Sequence, residues 1–291
     1  MKRVALIGSK GYIGKHLEWY LKQRGFHVDC YDIVSDDTDG YYQLDITKRE
    51  QMNLVNLDVD YVYMFAGLTG TKASFDRYEE YYEINEIGLN HLLDAIRKSR
   101  FRPRVVYPSS RLVYKGAEVA LKECDEKEAK TLYAVNKLAS EYLLNVYANM
   151  YDIPYTIFRI CVPFGNMLGS DYSFGTIGFF IHQAKEKGLI TLYGNGQTKR
   201  TFTSMEDLCS QIVQAVSKHE SINQTYNVGG CTHTLLEVAV KIASLYDAHV
   251  KCVPFPEVDL RIESGSTYFD SLKLETLLGI KSFQDIDTIL K

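Results

Sequence analysis

Apolar positions along this chain fall into two patterns that alternate. Val4-Ala5-Leu6-Ile7 is a short unbroken apolar run that predicts a strand covered on both faces of a parallel sheet; Tyr61 to Phe65 reads as another buried strand, and Val28 to Tyr31, Pro103 to Tyr107 and Tyr155 to Ile160 as further strands. Tyr41 to Ile46 reads as one more strand, and Thr47 with Glu50 three residues on has the form of a capping box opening a helix. Between the strands the apolar spacing is helical. Tyr12 to Arg24 is one such stretch, and Leu132 to Met150 is another. Arg77 to Lys98 is the third, with Tyr81, Ile84, Ile87, Leu89, Leu92, Leu93 and Ile96 on its apolar side. Strands alternating with helices predict an α/β fold with a parallel, doubly wound sheet.

From about Val162 the pattern loosens. Glycine-rich loops (Gly165 to Gly178, Gly194-Asn195-Gly196) alternate with short helices (Met205 to Lys218, Thr234 to Tyr246) and isolated strands. The expected division is therefore a nucleotide-binding domain over residues 1–161 and a smaller α/β substrate-binding lid over residues 162–291. A segment near 203–228, ending at Tyr226-Asn227-Val228, is expected to return to the main sheet.

Composition narrows the picture without sharpening it. The chain has 291 residues, a net charge of −4 and no basic patch of the kind nucleic acid requires. No apolar run reaches a membrane span, and with a strand opening the chain no signal peptide is expected. Six cysteines without a C-x-x-C pair and seven histidines without an H-x-x-x-H spacing argue against a metal site. Reduced thiols and a cytoplasmic location are the expectation.

The chemistry is announced early. Gly8, Gly11 and Gly14 follow the first strand in a G-x-x-G-x-x-G spacing, which permits a tight turn and a close approach of backbone to a pyrophosphate. The helix after the turn presents its N-terminal amides to that phosphate. Asp32 ends the second strand at the offset of an acid that binds the adenosine ribose. Further on, Tyr133 and Lys137 sit one turn apart on a single helical face. An ammonium beside a phenol favours the phenolate, as a tyrosine acid/base requires. Ser110 closes a strand of the same sheet, where its hydroxyl can hold a substrate oxygen.

With these residues in place, the chain resembles the extended short-chain dehydrogenase/reductases that act on nucleotide sugars, the NAD-dependent epimerase/dehydratase family. Ile7 to Gly14, with Lys10, Tyr12 and Ile13 inside it, resembles that family's cofactor turn. Leu44-Asp45-Ile46 resembles the segment at the adenine, Phe65-Ala66-Gly67 the turn under the cofactor, and Asn85 the asparagine of the long helix. Tyr107 to Tyr114 resembles the segment with the catalytic hydroxyl, at Ser110, and Tyr133-Ala134-Val135-Asn136-Lys137 the catalytic pair. Gly194 to Asp207 resembles the segment whose arginine grips a nucleotide diphosphate, here Arg200, with Arg261 as a second candidate. The resemblance implies a Rossmann-type domain, cofactor residues that also include Ile33 and Cys161, and a homodimer through the two long helices.

Two departures bear on the reaction. The family's dehydratases carry an Asp-Glu pair where this chain has Arg111-Leu112, so dehydration lacks its acids and Arg111 faces the substrate instead. Val162 stands where an asparagine usually meets the sugar. Asp32 favours NAD, whereas Lys10 resembles a residue that some NADP-using relatives place there. The resemblance thus implies a nucleotide-sugar 4-epimerase with bound NAD. The alternatives are an NAD(P)H-dependent 4-keto-6-deoxy nucleotide-sugar reductase and, behind it, a non-catalytic dinucleotide sensor.

Overall fold

A computed structural model of the chain describes residues 1–169 and 174–289. Residues 170–173, within the expected glycine-rich loop, lie outside the described residues. The chain begins with β1 (Arg3–Ile7), α1 (Tyr12–Gln23), β2 (His27–Asp32), β3 (Tyr41–Gln43) and β4 (Tyr61–Met64). Helices α2 (Ala73–Asp76), α3 (Tyr78–Tyr82) and α4 (Gly88–Lys98) lead to β5 (Arg104–Ser110). Then α5 (Leu132–Tyr151) leads to β6 (Tyr155–Ile160). The strands β7 (Val162–Phe164), β8 (Leu189–Tyr193), β9 (Lys199–Ser204) and β10 (Gln224–Asn227) are interleaved with α6 (Gly175–Lys187) and α7 (Met205–Val216). β11 (Cys231–Thr234), α8 (Leu235–Leu245) and β12 (His249–Val253) follow.

Seven strands form the main sheet in the order β10-β6-β5-β4-β1-β2-β3, with β1 pairing in parallel with both β2 and β4. The crossing of strand order beside β1 is the doubly wound switch point, where ligands of such sheets bind. Every residue of β4 and β6 is buried, and β4 accordingly carries no charged position. On one face, Leu89, Leu92, Leu93 and Ile96 of α4 and Leu144 and Ala148 of α5 close over Ala5, Ile7, Val62, Met64, Val105 and Ile157.

Packing divides the chain into two units, Met1–Val113 with Thr131–Arg159 and Ile212–Tyr226, and the remainder. The segment 114–130 belongs to the second unit and not, as the sequence reading has it, to the first. Backbone pairing explains this: Leu121 bonds Tyr268 O at 2.8 Å and Asp270 bonds Leu121 O at 2.9 Å. Within the second unit, β9 runs antiparallel to β11 and parallel to β7, and β8 pairs with β12. Their apolar faces pack with α6 and α8 around Phe164, Ile177, Phe202 and Ile242.

Two local expectations need correction. Thr47 opens no capping box. Its hydroxyl bonds Asp45 Oδ1 at 2.7 Å instead, and the turn that follows, Arg49–Leu54, is a 3-10 helix without a side-chain cap. The long helix from Arg77 to Lys98 is not uniform either: Glu83–Ile87 forms a π turn between α3 and α4.

Candidate active site

The cofactor cradle begins with two close backbone approaches. Gly8 has φ +91°, and a Cβ there would lie 2.3 Å from Ala66 N, while a Cβ on Gly14 would lie 2.0 Å from Gly8 O. Only glycine fits either place, because the turn is wedged against the end of β4 and under the first turn of α1. Helix α1 starts at Tyr12 and Ile13 with Gly11 as its N-cap, with no side-chain cap and no acid in its first turn. Its positive end is left for an anion.

Beside this turn lies a cavity of about 340 Å³. It gathers Gly8, Lys10, Gly11, Asp32, Ile33, Asp45, Ile46, Phe65, Ala66 and Gly67, ten residues picked out in the sequence for the cofactor. The Asp32 carboxylate is held by the backbone amides of Lys10 at 2.8 Å and Val34 at 3.3 Å. Asn85 does not line the cavity but shapes it from the π turn. Its amide bonds both the N–H (2.8 Å) and the carbonyl (3.1 Å) of Leu68, one residue past Gly67. An apolar slot, a carboxylate at the β2 end and an uncapped helix start fit an adenine, a ribose with a free 2′-hydroxyl and a pyrophosphate. Lys10 does not contest this. Its ammonium pairs with Asp36, which raises the lysine's proton affinity, and it lies 4.7 Å over the Tyr41 ring.

The catalytic candidates converge at the ends of β5 and α5. The Thr131 hydroxyl caps α5 by accepting from Ala134 N at 3.2 Å, so the helix begins one residue before Tyr133. Tyr133, Lys137 and Ser110 are all buried, at 8, 6 and 7% exposure. The Ser110 hydroxyl accepts from Leu112 N at 3.2 Å and neighbours the Tyr133 phenol. Lys137 Nζ donates to Pro108 O at 2.7 Å and stands 4.6 Å from the Tyr107 ring centre and 5.7 Å from that of Tyr133.

Electrostatics here differ from the simple expectation that the ammonium lowers the phenol. Burial pushes the Tyr133 phenol up to about 12, with the neighbouring Ser110 hydroxyl and the Arg111 cation opposing it. Burial also pulls the Lys137 ammonium down to about 7, with Glu141 opposing. A neutral phenol with a neutral amine holds the same number of protons as a phenolate with an ammonium. In the protein without cofactor, burial therefore favours the neutral pair over phenolate with ammonium.

The remaining candidates lie in the second unit. Val162 is buried in that unit's apolar core and offers no polar contact. The Cys161 thiol donates to Thr267 O at 3.2 Å. Arg200 is only 3% exposed; its guanidinium bonds Glu263 Oε1 at 2.9 Å and the carbonyls of Gly265 (2.5 Å) and Lys199 (3.0 Å). A diphosphate would have to compete with that carboxylate. Arg261 is exposed and paired with Glu257. The sequence reading missed Glu141 and Arg159, a buried ion pair whose Nη2–Oε2 contact is 2.6 Å.

Comparison with known proteins agrees with this geometry. The family model described as "NAD dependent epimerase/dehydratase family" matches residues 4–229. A Bacillus subtilis protein described as an uncharacterized UDP-glucose epimerase, YtcB, is 25% identical over 95% of this chain and 92% of its own. Pal from Bacillus thuringiensis superposes with a TM-score of 0.87 at 20% identity, covering 99% of this chain and 96% of its own. A UDP-glucuronic acid 4-epimerase from Bacillus cereus, solved with UDP-glucuronic acid and NAD, does so with a TM-score of 0.85 at 22% identity and the same coverage. The match to the family model spans most of the chain, and the protein belongs to the NAD-dependent epimerase/dehydratase family, with NAD as its cofactor.

Proposed function

We propose that the protein is a nucleotide-sugar 4-epimerase working through a transient 4-keto intermediate. The observation that carries this is the gathering of Ser110, Tyr133 and Lys137, all buried, at the ends of β5 and α5, with Arg111 and Leu112 where a dehydratase holds two acids. NAD, when bound, supplies the hydride acceptor at the start of the cycle and the donor at its end. Tyr133 Oη takes the proton of the sugar 4-hydroxyl as the C4–H electron pair leaves, so that C4 is oxidised to a ketone. Ser110 Oγ holds the same oxygen, and Lys137 compensates the phenolate charge. The ketone then turns over, C4 recovers hydride on its other face and Tyr133 returns the proton. Redox chemistry balances over the cycle, and no external reductant is consumed.

Arg111 supplies a cation beside the reacting oxygen, and Arg200 and Arg261 are the candidates for the nucleotide diphosphate. The named activities of similar proteins, a UDP-glucose epimerase among them, support the nucleotide-sugar class. The reductase alternative draws on Lys10 as an NADP contact, and the ion pair with Asp36 weakens that support. A second copy of the chain is the expected partner. Tyr82, Tyr142 and Val146 leave an exposed apolar face around a groove on the helices concerned. No helix among the described residues is long and apolar enough to cross a membrane.

The test is incubation of the purified protein with UDP- and dTDP-hexoses, read by NMR for inversion at C4 and by absorbance at 340 nm for net NADH. Inversion without net NADH is expected, with Tyr133→Phe lowering turnover at least about a hundredfold. Full turnover by that variant, or stoichiometric NADH oxidation with a keto sugar, would overturn the assignment.

A further inference from the structure

One turn beyond Lys137, the same helix face carries a third ionisable group, Glu141, whose side chain is only 9% exposed. Its Oε1 accepts from Ser109 Oγ at 2.5 Å and from Arg159 Nε at 3.0 Å, and its Oε2 accepts from Arg159 Nη2 at 2.6 Å. Burying such a pair seldom gains stability over an apolar pair of the same size, which leaves its presence to be explained by something else.

Its surroundings supply the reason. Two consecutive residues of β5 each bond a different side chain of this one helix face, and the next, Ser110, neighbours Tyr133. Pro108 O accepts from Lys137, and Ser109 Oγ donates to Glu141. A carboxylate between the lysine and the strand thus fixes the backbone that presents the catalytic hydroxyl. Its charge also favours the protonated Lys137, against the pull of burial. Other charged or titratable groups around this face are Tyr107 on β5, Tyr81 on α3, Glu86 in the π turn, Arg111 after β5 and Arg159 on β6.

We propose that Glu141 is a positioning residue: it pins the Ser110 end of β5 to α5 and keeps the proton on the Lys137 ammonium. The catalytic half of this rests on the epimerase reading above; the lysine half does not.

The experiment uses the full-length protein labelled with [ε-¹³C]lysine, the Lys137 signal being assigned by its loss in Lys137→Met. In Glu141→Gln the Lys137 titration is expected to move down by about one pH unit, because an opposite charge a few ångströms away has been removed. Turnover should fall about tenfold with little change in KM, and the acidic limb of the kcat profile should move with the NMR titration. The double variant Glu141→Leu/Arg159→Met leaves no orphaned charge, so its unfolding midpoint should recover while the lysine titration and kcat remain altered. A titration unchanged in Glu141→Gln, or wild-type titration and turnover in the double variant, would reduce the pair to a structural element and overturn the proposal. If the wild-type protein inverts no nucleotide sugar, the epimerase reading fails while the NMR titration still decides the role of Glu141.

Discussion

Exchanging Lys137 for methionine should make the cofactor-free protein more stable at neutral pH while abolishing its turnover. The ammonium is 6% exposed, and burial brings it from 10.5 to about 7. At 1.36 kcal/mol per pH unit, holding it charged costs about 5 kcal/mol relative to the unfolded chain. The sign follows from proton counting. Between about pH 7 and 10.5 the unfolded chain keeps this proton and the folded chain does not, so stability rises with pH across that window. The penalty is present in full only at or below about pH 7. Against it stands the bond from Nζ to Pro108 O at 2.7 Å, worth roughly 2 kcal/mol for a charged donor. Glu141 is not orphaned by the change, since Arg159 and Ser109 still hold it. The expected net gain is therefore on the order of 2–3 kcal/mol at pH 7, shrinking to nothing or reversing near pH 10. Urea unfolding of both proteins without cofactor, at several pH values, gives the difference directly and cancels the titration of other groups. A variant less stable than wild type at pH 7, or a difference indifferent to pH, would refute the reasoning.

Further outcomes follow from the cofactor cradle. Gly8→Ala sets a methyl group 2.3 Å from Ala66 N at φ +91° and should cost more than about 2 kcal/mol of stability and at least about a hundredfold in NAD affinity. Fluorescence titration with NAD, alongside circular dichroism, checks it; wild-type affinity would contradict it. Asp36→Asn frees Lys10 from its ion pair and should raise NADP affinity several-fold with NAD affinity nearly unchanged. Competitive binding of the two dinucleotides measures that ratio, and an unaltered ratio would show that Asp36 does not restrain Lys10.

The sheet was legible because a strand buried on both faces, such as Tyr61–Met64, has no polar position to blur it. The cradle was legible because Gly8 and Gly14 answer to backbone clashes that only glycine relieves. The π turn at Glu83–Ile87 was not, since one extra residue inside a helix leaves the apolar spacing on either side intact. The capping box at Thr47 failed for a competing reason: Asp45, two residues before, takes the same hydroxyl.

Glu141 is the more instructive omission, because a signal for it was present. Tyr133, Lys137, Glu141, Leu144 and Ala148 succeed one another at spacings of four, four, three and four, and all are buried. A carboxylate on such a stripe requires a cation, and Arg159 is the one charged residue in the otherwise uncharged strand Tyr155–Ile160. Reading the two together predicts their pairing without a structure. The same accounting explains why Lys137 cannot by itself ionise Tyr133. Burial acts on both groups against charge, raising one and lowering the other, so proximity alone leaves the proton on the phenol. Whatever shifts that proton must add charge of the right sign around the pair, negative near the lysine or positive near the phenol. Glu141 does the first and Arg111 the second. The chemistry of the site is therefore set as much by these two flanking residues as by the Tyr133–Lys137 spacing that first drew attention to it.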